Sequence, residues 1–363
     1  MAFHERVGNL HVHTTHSDGH ATHAEVAGFA ARAGLDFVVV TDHNVYDGER
    51  QGWHDHVLLL VGEELHDPED VHHNHLLALG IDGELADTRP DPQARIDAAN
   101  AAGGLAFLAH PVEHSGPLAG EPEIDWVRWD VSGYAGLEVW NHMSEFKAHL
   151  ANWPITLLAA FFPKLVIRGP HPETLARWDA LLARGPVYGI AGSDAHGTTY
   201  SLGPLHRQVL SYPYLFRALS THVLLDDVWS GDVARDAGLV WGALRRGRAF
   251  MAYDGLAPTR GFTFVAEHAG TVHAMGETID ADGEVTLRIT TPQRARLRLM
   301  QNGFPVGEAT GTRLTHRTTA PGAYRVEAYR SYAFRQRAWI LSNPIMVRTC
   351  AESPSGARPR GEG

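Results

Sequence analysis

Two textures of apolar and polar positions divide the chain. Up to about Gly261, short β-branched runs alternate with stretches of helical spacing. Residues 9–13 alternate apolar and polar positions and predict a strand. Thr22 and Glu25 have the spacing of a capping box, and Val26, Phe29, Ala30 and Ala33 then form one apolar helix face that stops at Gly34. Residues 37–41 are a continuous apolar, β-branched run, the mark of a strand buried on both faces. The unit recurs. A helix over 95–102 breaks at Gly103 and Gly104 before a strand over 105–109, and a helix over 174–183 breaks at Gly185 and Pro186 before a strand over 187–191. Alternating strands and helices predict a mostly parallel sheet or barrel.

Beyond Gly261 the helical spacing disappears. Residues 262–266, 285–290, 295–300, 324–329 and 339–341 read as strands, joined by turn-formers such as Asn302-Gly303 and Pro321-Gly322. This predicts a small all-β unit of sandwich type. The domain reading is an α/β domain over 1–258, an all-β unit over 259–349 and a loose tail over 350–363, rich in Pro, Gly, Ser and charge. A length of 363 residues accommodates two domains at roughly 150 residues each.

Charge sharpens this division. The formal net charge is -11, which argues against a nucleic-acid partner held by phosphate contacts. Residues 285–349 carry 11 basic and 2 acidic residues, a balance of +9, so the rest of the chain stands at -20. An acidic first domain suits a site that holds cations; an ordinary acidic surface is the plainer reading. The single cysteine, Cys350, excludes an internal disulfide and a cysteine zinc cluster within one chain. Residues 1–10 contain no apolar core of a signal peptide. The longest apolar stretch, 155–162, falls far short of the ~20 residues that span a bilayer. The expectation is a soluble, cytoplasmic protein without a membrane partner.

Histidine is the compositional outlier: 24 residues, 15 of them within the first 114. They are spread out, unlike a tag, so metal binding becomes the leading idea. His11-Val12-His13 on a strand places two imidazoles on one face. A pair of exposed polar residues is the plainer reading of that motif alone. Other motifs weigh against it. Asp18 lies in the loop just past the strand, Thr41-Asp42-His43-Asn44 closes the next one, and Gly62-Glu63-Glu64 closes the run 57–61. His75 opens the run 76–79, Ala109-His110-Pro111 closes another strand, and Gly192-Ser193-Asp194-Ala195-His196 closes 187–191. Most stand at strand C-termini, the face where a parallel α/β barrel builds its active site.

The set HVHTTHSDG, TDHN, GEE, AHP and GSDAH resembles the PHP family, named for polymerase and histidinol phosphatase. The segments from Gly136 to Asn141 and Ser342-Asn343-Pro344-Ile345 resemble its CehA/McbA-type branch. The resemblance runs to about Val347 and implies a distorted (β/α)7, TIM-like barrel with two or three divalent metals, Mn, Fe or Zn, at the strand C-termini. By the family pattern His11, His13, Glu64 and Asp194 hold the first metal. Glu64 bridges to a second completed by His75 and His110, and Asp18, His43 and His196 hold a third. Glu64, Asp194 and His196 are the implied catalytic residues. Some members carry a histidine beside the Asp18 position, where this chain has Gly19. Glu64 is chosen over Glu63 because the family pattern reads Gly-x-Glu.

Imidazole and carboxylate ligands without thiolate suit Mn, Fe or Zn. Two such metals share a water, lower its pKa and stabilise the charge that develops on attack. The first functional reading is therefore a phosphoesterase that cleaves a small-molecule or nucleotide phosphomonoester or phosphodiester by a metal-bridging hydroxide. The second is a carboxyl or carbamate ester hydrolase using the same metals. A third is an inactive binding module, which predicts lost ligands, whereas every expected ligand type is present. Around the site, Glu138 is read as a partner of a ligand histidine, and Asn141 as a substrate contact. His16 is read as lining the pocket, and Arg168, in a loop expected over 163–170, as a phosphate clamp. For each, an ordinary structural or solvated role competes. No oligomeric state is predicted.

Overall fold

Residues 3–85, 90–118, 122–150, 152–202 and 205–349 are described by the computed structural model. The tail expected over 350–363, with Cys350, lies outside them. The fold is mixed α/β, with eight α-helices among the described residues. Strands β1 (His4–Asn9), β2 (Phe37–Val40), β3 (Gly52–His54) and β4 (Val57–Val61) lie in the order β1-β2-β4-β3. The β1–β2 and β2–β4 pairs are parallel. Helix α1 (His23–Ala33) crosses from β1 to β2; both halves of its Thr22/Glu25 capping box form, and Gly34 ends it with φ 82°. All four side chains of β2 are fully buried, each burial worth about 1.5–3 kcal/mol.

A second sheet runs in chain order through β5 (Glu63–Leu65), β6 (Leu76–Leu79), β7 (Leu105–Leu108), β8 (Gly136–Asn141) and β9 (Tyr188–Gly192). Helix α2 (Pro92–Ala101) precedes β7, while α3 (His142–Ala148), α4 (Trp153–Phe161), α5 (Pro163–Val166) and α6 (Pro172–Leu182) lie between β8 and β9. Only Gly62 separates β4 from β5. At the other side an isolated parallel bridge joins Val12 to Ala195, just beyond the ends of β1 and β9. The two sheets therefore meet at both junctions, and the chain segments that follow β1, β4 and β9 come together.

The strand expected over 9–13 is displaced. Strand β1 ends at Asn9, and His11 and His13 follow it. Their backbone bonds go to the end of β9 instead, with Asp194 N donating to His11 O (3.0 Å) and His13 N to Ala195 O (3.0 Å). The segment 163–170 is also not a plain loop, because α5 occupies its first half.

The chain continues through a hairpin of β10 (Tyr200–Leu202) and β11 (Leu205–Arg207), then α7 (Tyr212–Ala218), β12 (Ser220–Leu225), α8 (Val233–Arg245) and β13 (Ala249–Ala252). Eight further strands follow: β14 (Thr263–His268), β15 (Thr271–Ala274), β16 (Thr278–Ala281), β17 (Val285–Gln301), β18 (Phe304–Thr318), β19 (Gly322–Tyr332), β20 (Arg335–Ser342) and β21 (Ile345–Thr349). They share a buried cluster that includes Phe264, Leu287, Leu297, Val326 and Trp339. The two strands expected over 285–300 are one strand, β17, with an irregularity between Thr290 and Ala295. Pro292 lies in that gap, where a residue without N–H is tolerated. The sheet does not stop at the expected domain boundary. Phe250 of β13 pairs with Ser342 of β20, so one path runs from β1 through β12 and β13 into the C-terminal strands. Among the described residues no helix is long and apolar enough to cross a membrane.

Candidate metal centre

Three chain segments deliver side chains to one point. His11 and His13 follow β1, Glu64 lies in β5, and Asp194 follows β9. His11 Nε2 is 3.1 Å from His13 Nε2, 3.0 Å from Glu64 Oε2 and 3.4 Å from Asp194 Oδ1. His13 Nε2 is 3.1 Å from the same Glu64 oxygen and 3.2 Å from the same Asp194 oxygen. Glu64 faces both ways. His43 Nδ1 lies 3.2 Å from Oε2, while His75 Nδ1 (2.8 Å) and His110 Nε2 (3.1 Å) lie against Oε1. A further group shares His13 and His43 and adds Asp18 and His196, with His196 Nε2 3.2 Å from Asp18 Oδ1. All nine ligand residues named from the sequence thus form one connected cluster. Glu63 points elsewhere, since its Oε2 accepts the Leu85 N–H at 3.1 Å.

Neighbouring groups fix which atoms face inward. His11 Nδ1 lies 3.1 Å from Glu138 Oε1, so its N–H donates outward and the Nε2 lone pair points into the cluster. Glu138 Oε2 also accepts from His110 N (2.9 Å) and Asn141 Nδ2 (2.9 Å). Asn141 Nδ2 reaches Asp194 Oδ2 at 3.3 Å, leaving Oδ1 to the imidazoles. Gly192 makes this packing possible, because a Cβ there would collide with Glu138 Oε1 and His11 Cβ. A side chain at Gly19 would likewise collide with the His13 carbonyl, which bars a histidine beside Asp18 in this backbone. His110 (φ 25°) and Asp194 (φ 54°) both sit at positive φ, a cost tolerated where surrounding contacts demand it.

Lone pairs of two imidazoles and two carboxylates within about 3 Å repel one another unless positive charge lies between them. The titration behaviour expresses this demand. Burial opposes charge on His13, but hydrogen bonds to Asp194 and Glu64 and their charges lift it to about 10. Burial likewise opposes charge on His110, which Glu64 and Glu113 raise to about 9. His11 is raised well above its usual value by Asp194, Glu64 and Glu138 against its burial. Glu64 and Asp194, despite complete burial, are held well below the usual carboxylate range by the surrounding histidines. A divalent cation bound by nitrogen and oxygen satisfies the same demand without protons, and the donor set suits Mn, Fe or Zn.

The remaining nominated residues divide. Glu138 and Asn141 touch ligand side chains, as described. His16 stands apart, with Nδ1 3.2 Å from Asp47 Oδ2 and its ring edge-on to His23. Arg168 does not reach the cluster. Its backbone N–H donates to Glu145, and its side chain lines a cavity against the C-terminal strands, because α5 and the turn after it carry it there. His66 was not singled out, yet its ring stacks on His75 (4.7 Å) and meets His43 edge-on (5.0 Å). Its spacing of two from Glu64 was the available signal.

No protein-family model matches the chain, and no curated protein matches it. Solved structures do. A two-domain protein from Bacteroides vulgatus, described as containing a predicted PHP-like metal-dependent phosphoesterase, is 16% identical over 94% of this chain and 95% of its own, with a TM-score of 0.45. An inferred metal-dependent phosphoesterase from Bifidobacterium adolescentis is 18% identical over 55% of this chain and 91% of its own, at 0.34. An amidohydrolase from Chromobacterium violaceum is 16% identical over 57% of this chain and 95% of its own, at 0.31.

Proposed function

We propose that the chain is a metal-dependent phosphoesterase of the PHP family, in its CehA/McbA-type branch. On this reading β1, β2, β4 with β5, and β6 to β9 are the seven strands of the distorted barrel. The observation that carries the proposal is the two-sided use of Glu64, whose oxygens face separate groups of imidazoles.

His11, His13, Glu64 and Asp194 would hold one metal, Glu64, His75 and His110 a second, and Asp18, His43 and His196 a third. Divalent ions there supply Lewis acidity and activate water at neutral pH. The protein's own groups supply the rest. Glu138 holds the His11 tautomer, Asn141 orients Asp194, and burial of His11, His13, Glu64 and His75 keeps bulk water from one side. The other side is open, with the Asp18 side chain 57% exposed, and a small phosphomonoester or phosphodiester, including a nucleotide, enters there. Asp194 and His196 flank that entrance, with His196 Nδ1 3.5 Å from Asp194 Oδ1.

A second reading, hydrolysis of a carboxyl or carbamate ester at the same metals, is favoured by one observation: Arg168, the nominated phosphate clamp, lies elsewhere. Mn-loaded protein assayed on p-nitrophenyl phosphate, bis(p-nitrophenyl) phosphate and p-nitrophenyl acetate separates the two. Phosphoester turnover that is lost with chelator and in Asp194→Asn is expected. Cleavage of the acetate alone overturns the phosphoesterase reading in favour of the second.

A further inference from the structure

A cavity of about 620 Å³ lies where α3 and α6 face β17, β19 and β20. None of its lining residues belongs to the groups gathered around Glu64. Its volume falls within the roughly 300–1,000 Å³ of small-molecule sites.

The polar groups on its wall are unequally satisfied. Its three carboxylates are saturated from within. Asp179 accepts two bonds from Arg325 at 2.7 Å each. Glu327 accepts from Arg325 (2.7 Å), Tyr329 Oη (2.7 Å) and Arg298 (3.3 Å). Glu145 accepts from Trp140 Nε1 (2.8 Å), Gly169 N (2.8 Å) and Arg168 N. The basic groups are not saturated. Arg298 Nε, His149 Nε2 and His171 Nε2 are buried without a hydrogen-bond partner. The Arg168 guanidinium makes no ion pair among the described residues. Buried polar atoms without partners are costly, and three of them lie on residues that line the cavity beside the exposed Arg168 guanidinium, a set that suits a ligand supplying acceptors. The local field agrees: burial, then the charges of Arg168, His171 and Arg337, push His149 down to about 4.

We propose that this cavity is a second ligand site, separate from the metal centre, for a small molecule bearing a multiply charged oxyanion. Arg168 and Arg298 engage the anion through their planar forks, and His149 and His171 complete its hydrogen bonds. Phosphate esters and polycarboxylates share this chemistry. Because Arg298 and Arg325 come from the C-terminal strands and Arg168 from the first part of the chain, the ligand is held across the junction of the two. The proposal does not depend on the reaction catalysed at the metals.

The test is calorimetric titration of the metal-loaded full chain with inorganic phosphate and, separately, with citrate. At least one probe should bind to wild type and equally to Asp194→Asn, which removes a metal-centre group. Binding should weaken about ten-fold or more in Arg168→Gln and Arg298→Gln, as loss of a charged hydrogen-bond donor implies, and recover in part in Arg298→Lys. Preference for phosphate assigns a phosphoester ligand, and preference for citrate a polycarboxylate. Arg168 is exposed, so its substitution leaves the fold intact and keeps the test decisive if Arg298→Gln is unstable. Absence of binding by either probe overturns the proposal. So does binding that Asp194→Asn abolishes and both arginine variants leave unchanged.

Discussion

Glu138 Oε1 and His11 Nδ1 stand 3.1 Å apart with no solvent access, and this contact decides which nitrogen of His11 faces the metal centre. The carboxylate accepts the Nδ1–H hydrogen bond and leaves the Nε2 lone pair toward Glu64 and Asp194. Glu138→Gln keeps the size but removes the charge that raises ligand basicity. Metal affinity should fall by about 10–100-fold, the range for residues that orient a ligand. Competition against a calibrated chelator measures this, and unchanged affinity would detach Glu138 from the centre.

Glu64 is a different case, since both of its oxygens face imidazoles. Glu64→Gln should release at least one metal per chain and lower turnover by more than about 100-fold, beyond the effect of an orienting residue. Elemental analysis of the purified variant, beside its rate, checks both halves. A variant that retains the wild-type metal content would show that Glu64 does not bridge.

Gly192 lets β9 pass close to Glu138 and His11. In Gly192→Ala the added methyl must displace one of them. Overpacking of this kind costs about 1–3 kcal/mol, so urea unfolding should show that loss together with weaker metal binding. Loss of stability with undiminished metal affinity would contradict the coupling.

Away from the candidate metal centre, buried His222 lies 2.6 Å from Glu5 Oε1 and 3.0 Å from Asp254 Oδ2. Burial disfavours its charge, but these two carboxylates outweigh it and raise its pKa above the usual 6.5. A raised folded-state value stabilises fully below the unfolded pKa, and the gain is lost as pH rises through the folded value. The stability gap between wild type and His222→Gln should therefore be widest below about pH 6 and shrink in alkaline solution. Unfolding curves across pH measure the gap, and a constant gap would mean that His222 is neutral throughout.

Local signals were legible where local forces decide. The capping box at Thr22, the Gly34 stop and the fully apolar run of β2 formed as the sequence implied, because each depends on neighbours a few residues away. The motif residues also came together, because strand ends concentrate them on one face. What escaped was long-range. Nothing near His11 says that its backbone pairs with Asp194 and not with β2, which set the early end of β1. Arg168 sits in a stretch whose course is fixed by Arg337 binding the carbonyls of Ile167 and Leu165, from a strand 170 residues away in sequence. The continuity of β13 with β20 joins segments that no spacing rule connects.

The central claim is that Glu64 bridges the metals of a single multi-metal centre, and metal stoichiometry tests it most directly. Protein purified after growth with added Mn, Fe and Zn is analysed for elemental content per chain. Two or three divalent ions per chain in wild type, reduced in Glu64→Gln and Asp194→Asn, are expected. Less than one ion per chain in wild type, with the histidines titrating as a proton-bearing cluster instead, would contradict it.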